Sequence, residues 1–411
     1  MNWCTDPRSS IVAPIRESPD AESIFQRKKF CFGKQILLRP SPRPRHYRNR
    51  GCYVWHDITH AGSRKQRCPC NLHNLVRERH YSSSRQLATM DGQNTWSAYQ
   101  ETMVKAYGGV LILTDVLLLL VKILYFIGEG IYRLFVPAEE KNVAGEIVLI
   151  TGAGHGIGKE LALKYASLGA TVVCWDVNQE GNNETVNEIE QMGGTKAHGY
   201  KCDVSKREEV FSIAEKVREE VGDVTILINN AGIMPCHAFL DHTPEDIKRI
   251  FDINVLAHCW TVQAFLPSMI QRNHGHIVAL SSMAGFVGLA NLVPYCASKF
   301  AVRGFMEALK EEIRALNKEK VSNINFTTIY PYMVDTGLCL KPKIRFPSLM
   351  AMVSPKEAVA KIVQAQRRNI SELSIPAYWI YVNVFLRCTP EASARSVVDF
   401  FDATLEAETK C

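Results

Sequence analysis

From residue 144 onward, short apolar runs alternate with helical repeats, and that alternation leaves few folds open. Strand patterns fall at 146–151, 171–175, 196–202, 225–229, 276–281, 323–329 and, briefly, 373–376. Helical patterns occupy 157–168, 180–192, 206–221, 245–271, 295–316 and 354–368. Repeated strand–helix units build a parallel sheet with helices on both faces. Strands in such a sheet are buried on both sides and read as continuous apolar, β-branched runs, as Ile147-Val148-Leu149-Ile150 does. Gly169, Gly193 and Gly222 stand where helices should stop. Thr243-Pro244-Glu245-Asp246 reads as an N-cap, a proline at the first helical position and acids in the first turn. The expectation is an α/β fold, a doubly wound parallel sheet of about seven strands.

The turn after the first strand carries Gly152, Gly154, Gly156 and Gly158 and leads into an alanine- and leucine-rich helix. Glycine lets a backbone approach an anion closely, and a helix N-terminus offers N–H groups and a positive dipole end. Strand, glycine turn and helix therefore suit a phosphate cradle, although an ordinary tight connection looks similar. The spacing Gly152-x3-Gly156-x-Gly158 differs from the common G-x-G-x-x-G fingerprint. Asp176 ends the second strand, where an acid can accept hydrogen bonds from a ribose and repel a 2′-phosphate. That favours NAD over NADP, and an aspartate there can also simply cap a turn. Asp203 ends the third strand and Asn230-Ala231-Gly232 follows the fourth. Each alone could be turn chemistry, but ligands in such folds bind beyond the carboxyl ends of strands.

Ser281 and Ser282 follow the fifth strand, and Tyr295 and Lys299 open the next helix at i and i+4, on one face. A neighbouring ammonium favours a tyrosine phenolate and brings it toward useful proton transfer. A serine hydroxyl can hold the substrate oxygen meanwhile. A lone Tyr-x-x-x-Lys is usually a solvated helix face; here Ser282 precedes it on the adjoining strand end. Asn254 lies inside an apolar helix pattern, where an amide needs a reason: it could bend the helix and reach Lys299 through a water.

Charge is unevenly spread. Residues 1–89 hold 17 Lys+Arg against 6 Asp+Glu, a net +11, whereas the whole chain carries +6, leaving −5 for 90–411. A mildly acidic folded part is a poor nucleic-acid binder. Residues 1–89 show no lasting period and read as a disordered extension, or as preceding an internal start at Met90. Two other readings are a targeting peptide and a metal site at Cys52, Cys68, Cys70 and His73. Residues 108–136 are the most apolar, interrupted by Asp115 and Lys122. They read as a membrane anchor, either a span or an interfacial helix, with a buried core helix as the alternative. The apolar stretch from Pro376 to Leu386 is too short to span and reads as a channel wall, a membrane-resting surface or a last core helix. The 13 cysteines show no paired spacing in the folded part, which suits a reducing compartment.

Taken in order, Thr151-Gly152-x3-Gly156-Ile157-Gly158, Asn230-Ala231-Gly232, Asn254, Ser282 and Tyr295-x3-Lys299 resemble the short-chain dehydrogenase/reductase family. Within it, Asn142 to Gly154, Asn254-Val255-Leu256-Ala257-His258, Asn273 to Val278 and the apolar anchor resemble the membrane-associated branch of epidermal retinol dehydrogenase 2 and the lipid-droplet 17-beta-hydroxysteroid dehydrogenases. The resemblance implies a Rossmann-type catalytic domain over 144–375, after an anchor region at 90–143 and before a tail at 376–411. It implies a dinucleotide, NAD rather than NADP, held by Gly152, His155, Gly156, Ile157, Gly158, Asp176, Asp203, Val204, Asn230, Ala231, Gly232, Tyr295, Lys299, Pro331, Val334 and Thr336. Tyr295 would be the acid/base, Lys299 its activator, Ser282 the orienting hydroxyl and Asn254 the support of a proton relay. No metal is implied. Tyr332 stands where many members have glycine, which bears on the pocket beside the nicotinamide. Residues 338–352 would form a mobile lid.

The activity implied is oxidation of a lipophilic alcohol, retinol first, at an endoplasmic reticulum or lipid-droplet surface facing the cytosol, by a homodimer. Steroid oxidation, NADP-dependent carbonyl reduction and a surface protein of little activity are the alternatives.

Overall fold

The structure is a computed structural model and describes residues 72–193, 195–316, 322–337, 342–343, 345–346, 352–401 and 404–405. The chain divides into two units, Met1–Val104 and Lys105–Cys411. Helix α1 runs from Leu72 to Phe135. It begins inside the stretch expected to lack regular structure, and that expectation is corrected for residues 72–89. The reason is local: no proline interrupts 70–136, and Leu75, Arg77, Glu78, Arg79, Gln86 and Ala88 are good helix formers. The readings for residues 1–71, including the cysteine cluster, fall outside the described residues. Thr95–Phe135 is long and apolar enough to cross a membrane, with a mean hydropathy of 2.6 over its most apolar window and none of that window buried. That excludes the core-helix reading of 108–136.

After α1 the second unit alternates strand and helix as the pattern predicts. The order is β1 (Ile147–Thr151), α2 (Gly156–Ser167), β2 (Thr171–Asp176), α3 (Gln179–Met192), β3 (Ala197–Lys201), α4 (Arg207–Glu220) and β4 (Ile226–Asn229). Then come α5 (Pro244–Phe251), α6 (Ala257–Arg272), β5 (Gly275–Leu280), α7 (Val293–Leu316), β6 (Ile324–Pro331), β7 (Pro342–Lys343), α8 (Pro355–Arg367), β8 (Glu372–Ile375), α9 (Tyr378–Arg387), α10 (Glu391–Phe401) and β9 (Thr404–Leu405). Seven strands form one sheet in the order β3-β2-β1-β4-β5-β6-β8. Every pairing within it is parallel. β7 and β9 make a separate antiparallel pair.

Successive strand residues point to opposite faces. Val148, Ile150, Val172, Cys174 and Ile228 pack with Leu161, Tyr165, Ile189 and Ile362 of α2, α3 and α8. Leu149, Val173, Trp175, Leu227 and Ile277 pack with Val210, Phe265, Met269 and Val302 of α4, α6 and α7. Strand order reverses between β1 and β4, so the connections leaving their carboxyl ends run in opposite directions and open a crevice there.

One helix differs from its pattern. Residues 245–271 are not continuous: a π-helical segment, Asp252–Leu256, separates α5 from α6. Its centre is the fully buried Asn254. The N-cap expected at Thr243 forms, and it does so as a capping box, with Thr243 Oγ1 accepting the Asp246 N–H at 3.1 Å.

Candidate active site

The glycine turn is built too tightly for side chains. A Cβ on Gly158 would lie 1.9 Å from the Gly152 carbonyl oxygen and 2.7 Å from Asn230 Nδ2. Gly152 and Gly156 have φ of 69° and 58°, which favours glycine. His155 precedes α2 and gives it no side-chain cap, leaving that helix end open to an anion. Asn230 Nδ2 donates to the carbonyls of Thr151 (2.9 Å) and Gly152 (3.1 Å), tying the end of β4 to the turn. Thr151 Oγ1 accepts the N–H groups of Asn230 and Ala231 at 3.0 and 3.1 Å.

Asp176 is buried, and its two carboxylate oxygens accept the N–H groups of Gly154 and Asn178, each at 2.8 Å. It faces a cleft with Gly152, His155, Asp203, Val204, Ala231 and Gly232. The Asp203 carboxylate holds its own turn, accepting from Ser205 N–H (3.1 Å) and Oγ (2.6 Å). A cradle of closely approaching backbone, an open helix end and a fixed acid beyond it fit an adenine dinucleotide.

A second cleft, of about 980 Å³ and open to solvent, adjoins the first at Gly232. It brings together Ile157, Asn230, Ser282, Tyr295, Lys299, Pro331, Val334 and Thr336, with an apolar far wall of Met283, Val287, Leu289 and Leu292. Lys299 Nζ donates to the Leu280 carbonyl at 2.9 Å and lies 5.7 Å from the Tyr295 ring centroid. Burial pulls its ammonium down to about 8. Ser282 Oγ accepts the Ala284 N–H at 3.1 Å, which holds the hydroxyl at the mouth of β5.

Asn254 lines neither cleft. Its Oδ1 accepts the Ile233 N–H and its Nδ2 donates to the Ile233 carbonyl, both at 2.9 Å. Nδ2 also donates to Ser298 Oγ at 3.1 Å, and that hydroxyl donates to the Tyr295 carbonyl at 2.7 Å. Ser298 was not singled out from the sequence, although it sits inside the Tyr295-x3-Lys299 motif. Gly232 packs closely against this group: a Cβ there would stand 3.3 Å from Asn254 Oδ1 and 3.6 Å from Lys299 Nζ. Tyr332 stacks on Trp379 of α9 with centroids 5.9 Å apart, so the C-terminal segment reaches the site. Of α9 only Asn383 is buried, which excludes a core helix for 376–386. The lid expected at 338–352 lies mostly outside the described residues. Among the described residues no group of His, Cys, Asp and Glu could hold a metal ion.

Comparison with known proteins agrees with this geometry. Residues 146–342 match the family described as short chain dehydrogenase. The chain is 44% identical over 276 residues to short-chain dehydrogenase/reductase family 16C member 6 from Bos taurus, covering 67% of this chain and 86% of that one. It is 44% identical over 273 residues to human epidermal retinol dehydrogenase 2, covering 65% and 87%. It is 41% identical over 276 residues to human 17-beta-hydroxysteroid dehydrogenase 13, covering 67% and 89%. A short chain dehydrogenase/reductase from Burkholderia phymatum, solved in complex with NAD, shares the fold with a TM-score of 0.54 at 24% identity, over 66% of this chain and 99% of that one. With the sheet order, the glycine turn and the Ser282, Tyr295 and Lys299 cleft in place, the chain belongs to the short-chain dehydrogenase/reductase family, whose fold binds a nicotinamide cofactor.

Proposed function

We propose that this chain is a membrane-associated, NAD-dependent dehydrogenase of lipophilic alcohols, oxidising retinol to retinal. The observation that carries the reading is the second cleft: Ser282, Tyr295 and Lys299 at one end, and a methionine- and leucine-lined wall at the other. The likeness to epidermal retinol dehydrogenase 2 supports a retinoid, and the likeness to 17-beta-hydroxysteroid dehydrogenase 13 supports a lipophilic alcohol more broadly.

When bound, the nicotinamide supplies the hydride acceptor. Tyr295 takes the hydroxyl proton of the alcohol. The Lys299 ammonium, fixed on the Leu280 carbonyl, favours the phenolate that does so. Ser282 Oγ, held by the Ala284 N–H, orients the substrate oxygen. Asn254 positions Tyr295 and Lys299 indirectly, by bridging the Ile233 backbone to Ser298 between them. Gly152, His155, Gly156, Ile157 and Gly158 hold the pyrophosphate end, with Asp203 and Val204 toward the adenine. Asn230, Ala231, Gly232, Pro331, Val334 and Thr336 hold the nicotinamide end. The buried Asp176 carboxylate, already anchored by two backbone N–H groups, favours ribose hydroxyls and repels a 2′-phosphate.

The apolar helix supports a lipid-surface setting for this chemistry. Val110, Leu111, Ile112 and Leu113 are all exposed in consecutive positions, so the helix is apolar all round, which suits a span better than an interfacial helix. The cysteines Cys174, Cys202, Cys259, Cys296 and Cys388 are free, which suits a catalytic unit facing the cytosol at an endoplasmic reticulum or lipid-droplet surface. A homodimer through α5–α6 and α7 is consistent with exposed Leu256, Ile270 and Phe300.

The test is a panel of retinol, estradiol and long-chain alcohols, with NAD and with NADP, on membrane-bound protein. Wild type should oxidise retinol with NAD, and Tyr295→Phe should lose at least about a hundredfold in kcat. Asp176→Ala should gain affinity for NADP relative to NAD. Full turnover by Tyr295→Phe would refute the assignment of the base, and an NADP preference unchanged by Asp176→Ala would refute the cofactor.

A further inference from the structure

The catalytic cleft does not end at its apolar wall. A groove of about 620 Å³ continues from it, and Met283, Val287, Leu289 and Tyr332 line both spaces. The far side of the groove comes from the C-terminal segment: Trp379 and Leu386 of α9, and Val397, Val398 and Phe401 of α10. Its polar side-chain groups are three: the Asn383 amide, whose Nδ2 already donates to the Trp379 carbonyl at 2.9 Å, the Tyr332 hydroxyl and the Trp379 indole N–H. A ligand lying there meets mostly carbon, so a hydrophilic tail would lose its water with few partners to replace it.

The walls are held in place. Ser374 Oγ accepts the Ile380 N–H at 2.9 Å, and the Arg387 guanidinium donates to the Phe286 carbonyl, fixing both ends of α9 to the sheet side. Trp379 meets Phe401 edge-on at 5.8 Å, joining α9 to α10. Tyr332 is held by its backbone, donating to the Ile375 carbonyl at 2.9 Å, and stands as the divider where cleft and groove meet. Beside the groove, Tyr381, Val384, Phe385 and Phe400 are exposed, so the surface around it is apolar too.

We infer that the substrate's apolar tail passes Tyr332 and lies between α9 and α10, so that Tyr332, Trp379 and Leu386 select elongated, long-chain alcohols over compact ones. The inference rests on the alcohol dehydrogenase reading and adds the shape of the substrate. A head group alone fills the cleft near Ser282 and Tyr295. Only a long chain also desolvates the groove, and each methylene buried there strengthens binding without touching the reacting atoms.

Two measurements test it on the full chain in vesicles. In the first, kcat/KM is compared for hexanol, hexadecanol and retinol. Leu386→Trp, which fills the groove away from the reacting residues, should lower the hexadecanol and retinol values by roughly tenfold or more and leave hexanol within about twofold. Equal losses on all three alcohols, or no loss on hexadecanol, would overturn the inference. In the second, hexadecanol carrying a diazirine at its far end is photo-crosslinked to wild type. Adducts should map to Leu386, Val397 or Phe401, and adducts confined to other segments would overturn the groove. Because crosslinking needs no turnover, adducts in the groove without oxidation of any alcohol would support the groove while overturning the proposed activity.

Discussion

Lys299 shows how the site trades stability for chemistry at a single residue. Its ammonium is buried, with the Leu280 carbonyl as its hydrogen-bond acceptor, and burial lowers its pKa from the ordinary 10.5 to about 8. The unfolded chain therefore binds more protons than the folded one between those values, so stability rises with pH across that window. Below about 8 the folded protein carries the full penalty of a buried charge. A neutral side chain of similar length escapes it. Chemical denaturation of wild type and Lys299→Met should show the stability difference moving in wild type's favour by roughly 3 kcal/mol from pH 7 to above pH 10.5. Turnover should be lost in the variant throughout. A difference that stays flat with pH would mean the ammonium is better solvated than its position implies.

The elements divide into those set by local pattern and those set by distant contacts. The glycine turn belongs to the first kind. Gly158→Ala would drive a methyl into the Gly152 carbonyl, 1.9 Å away, and should cost about 2–4 kcal/mol in thermal or denaturant unfolding together with dinucleotide binding. Gly304, in α7, has nothing within 4 Å of its would-be Cβ, so Gly304→Ala should instead stabilise by about 0.5–1 kcal/mol. The strands of the main sheet were legible because burial on both faces forces continuous apolar runs such as Val148 to Ile150. The sequence pattern also placed Ser282, Tyr295 and Lys299 on one cleft, since a strand end and one helix face decide it. It marked Asn254 as a bend in the helix but not the π form of the segment at 252–256, because Asn254 is held there by Ile233, 21 residues away. It offered 376–386 as a channel wall but could not name Tyr332 as the residue α9 meets, a contact between segments with no common period. Ser298 escaped notice for a related reason: its hydroxyl matters only once Asn254 is known to point at it.

At the scale of the whole second unit, the apolar helix α1 is joined to the sheet domain through a short linker that is itself pinned. Glu140 accepts from Arg367 at 2.5 Å, from Arg368 at 3.1 Å and from Gln364 at 3.2 Å, all on or beside the end of α8. The backbone adds two bonds, Lys141 N–H to the Arg367 carbonyl at 2.9 Å and Arg367 Nε to the Lys141 carbonyl at 2.8 Å. α8 packs on the same sheet face as α2, so the linker is fixed to the body that carries the glycine turn. Partly exposed ion pairs contribute on the order of 1 kcal/mol, too little to decide folding but enough to decide the linker's order. Glu140→Ala should therefore leave membrane retention and the unfolding midpoint nearly unchanged. Its effect should appear in access to substrate: kcat/KM for retinol in vesicles should fall several-fold, while kcat/KM for retinol in detergent micelles stays at the wild-type value. Equal rates in both settings would show that the linker's attachment has no part in presenting the cleft to the lipid surface.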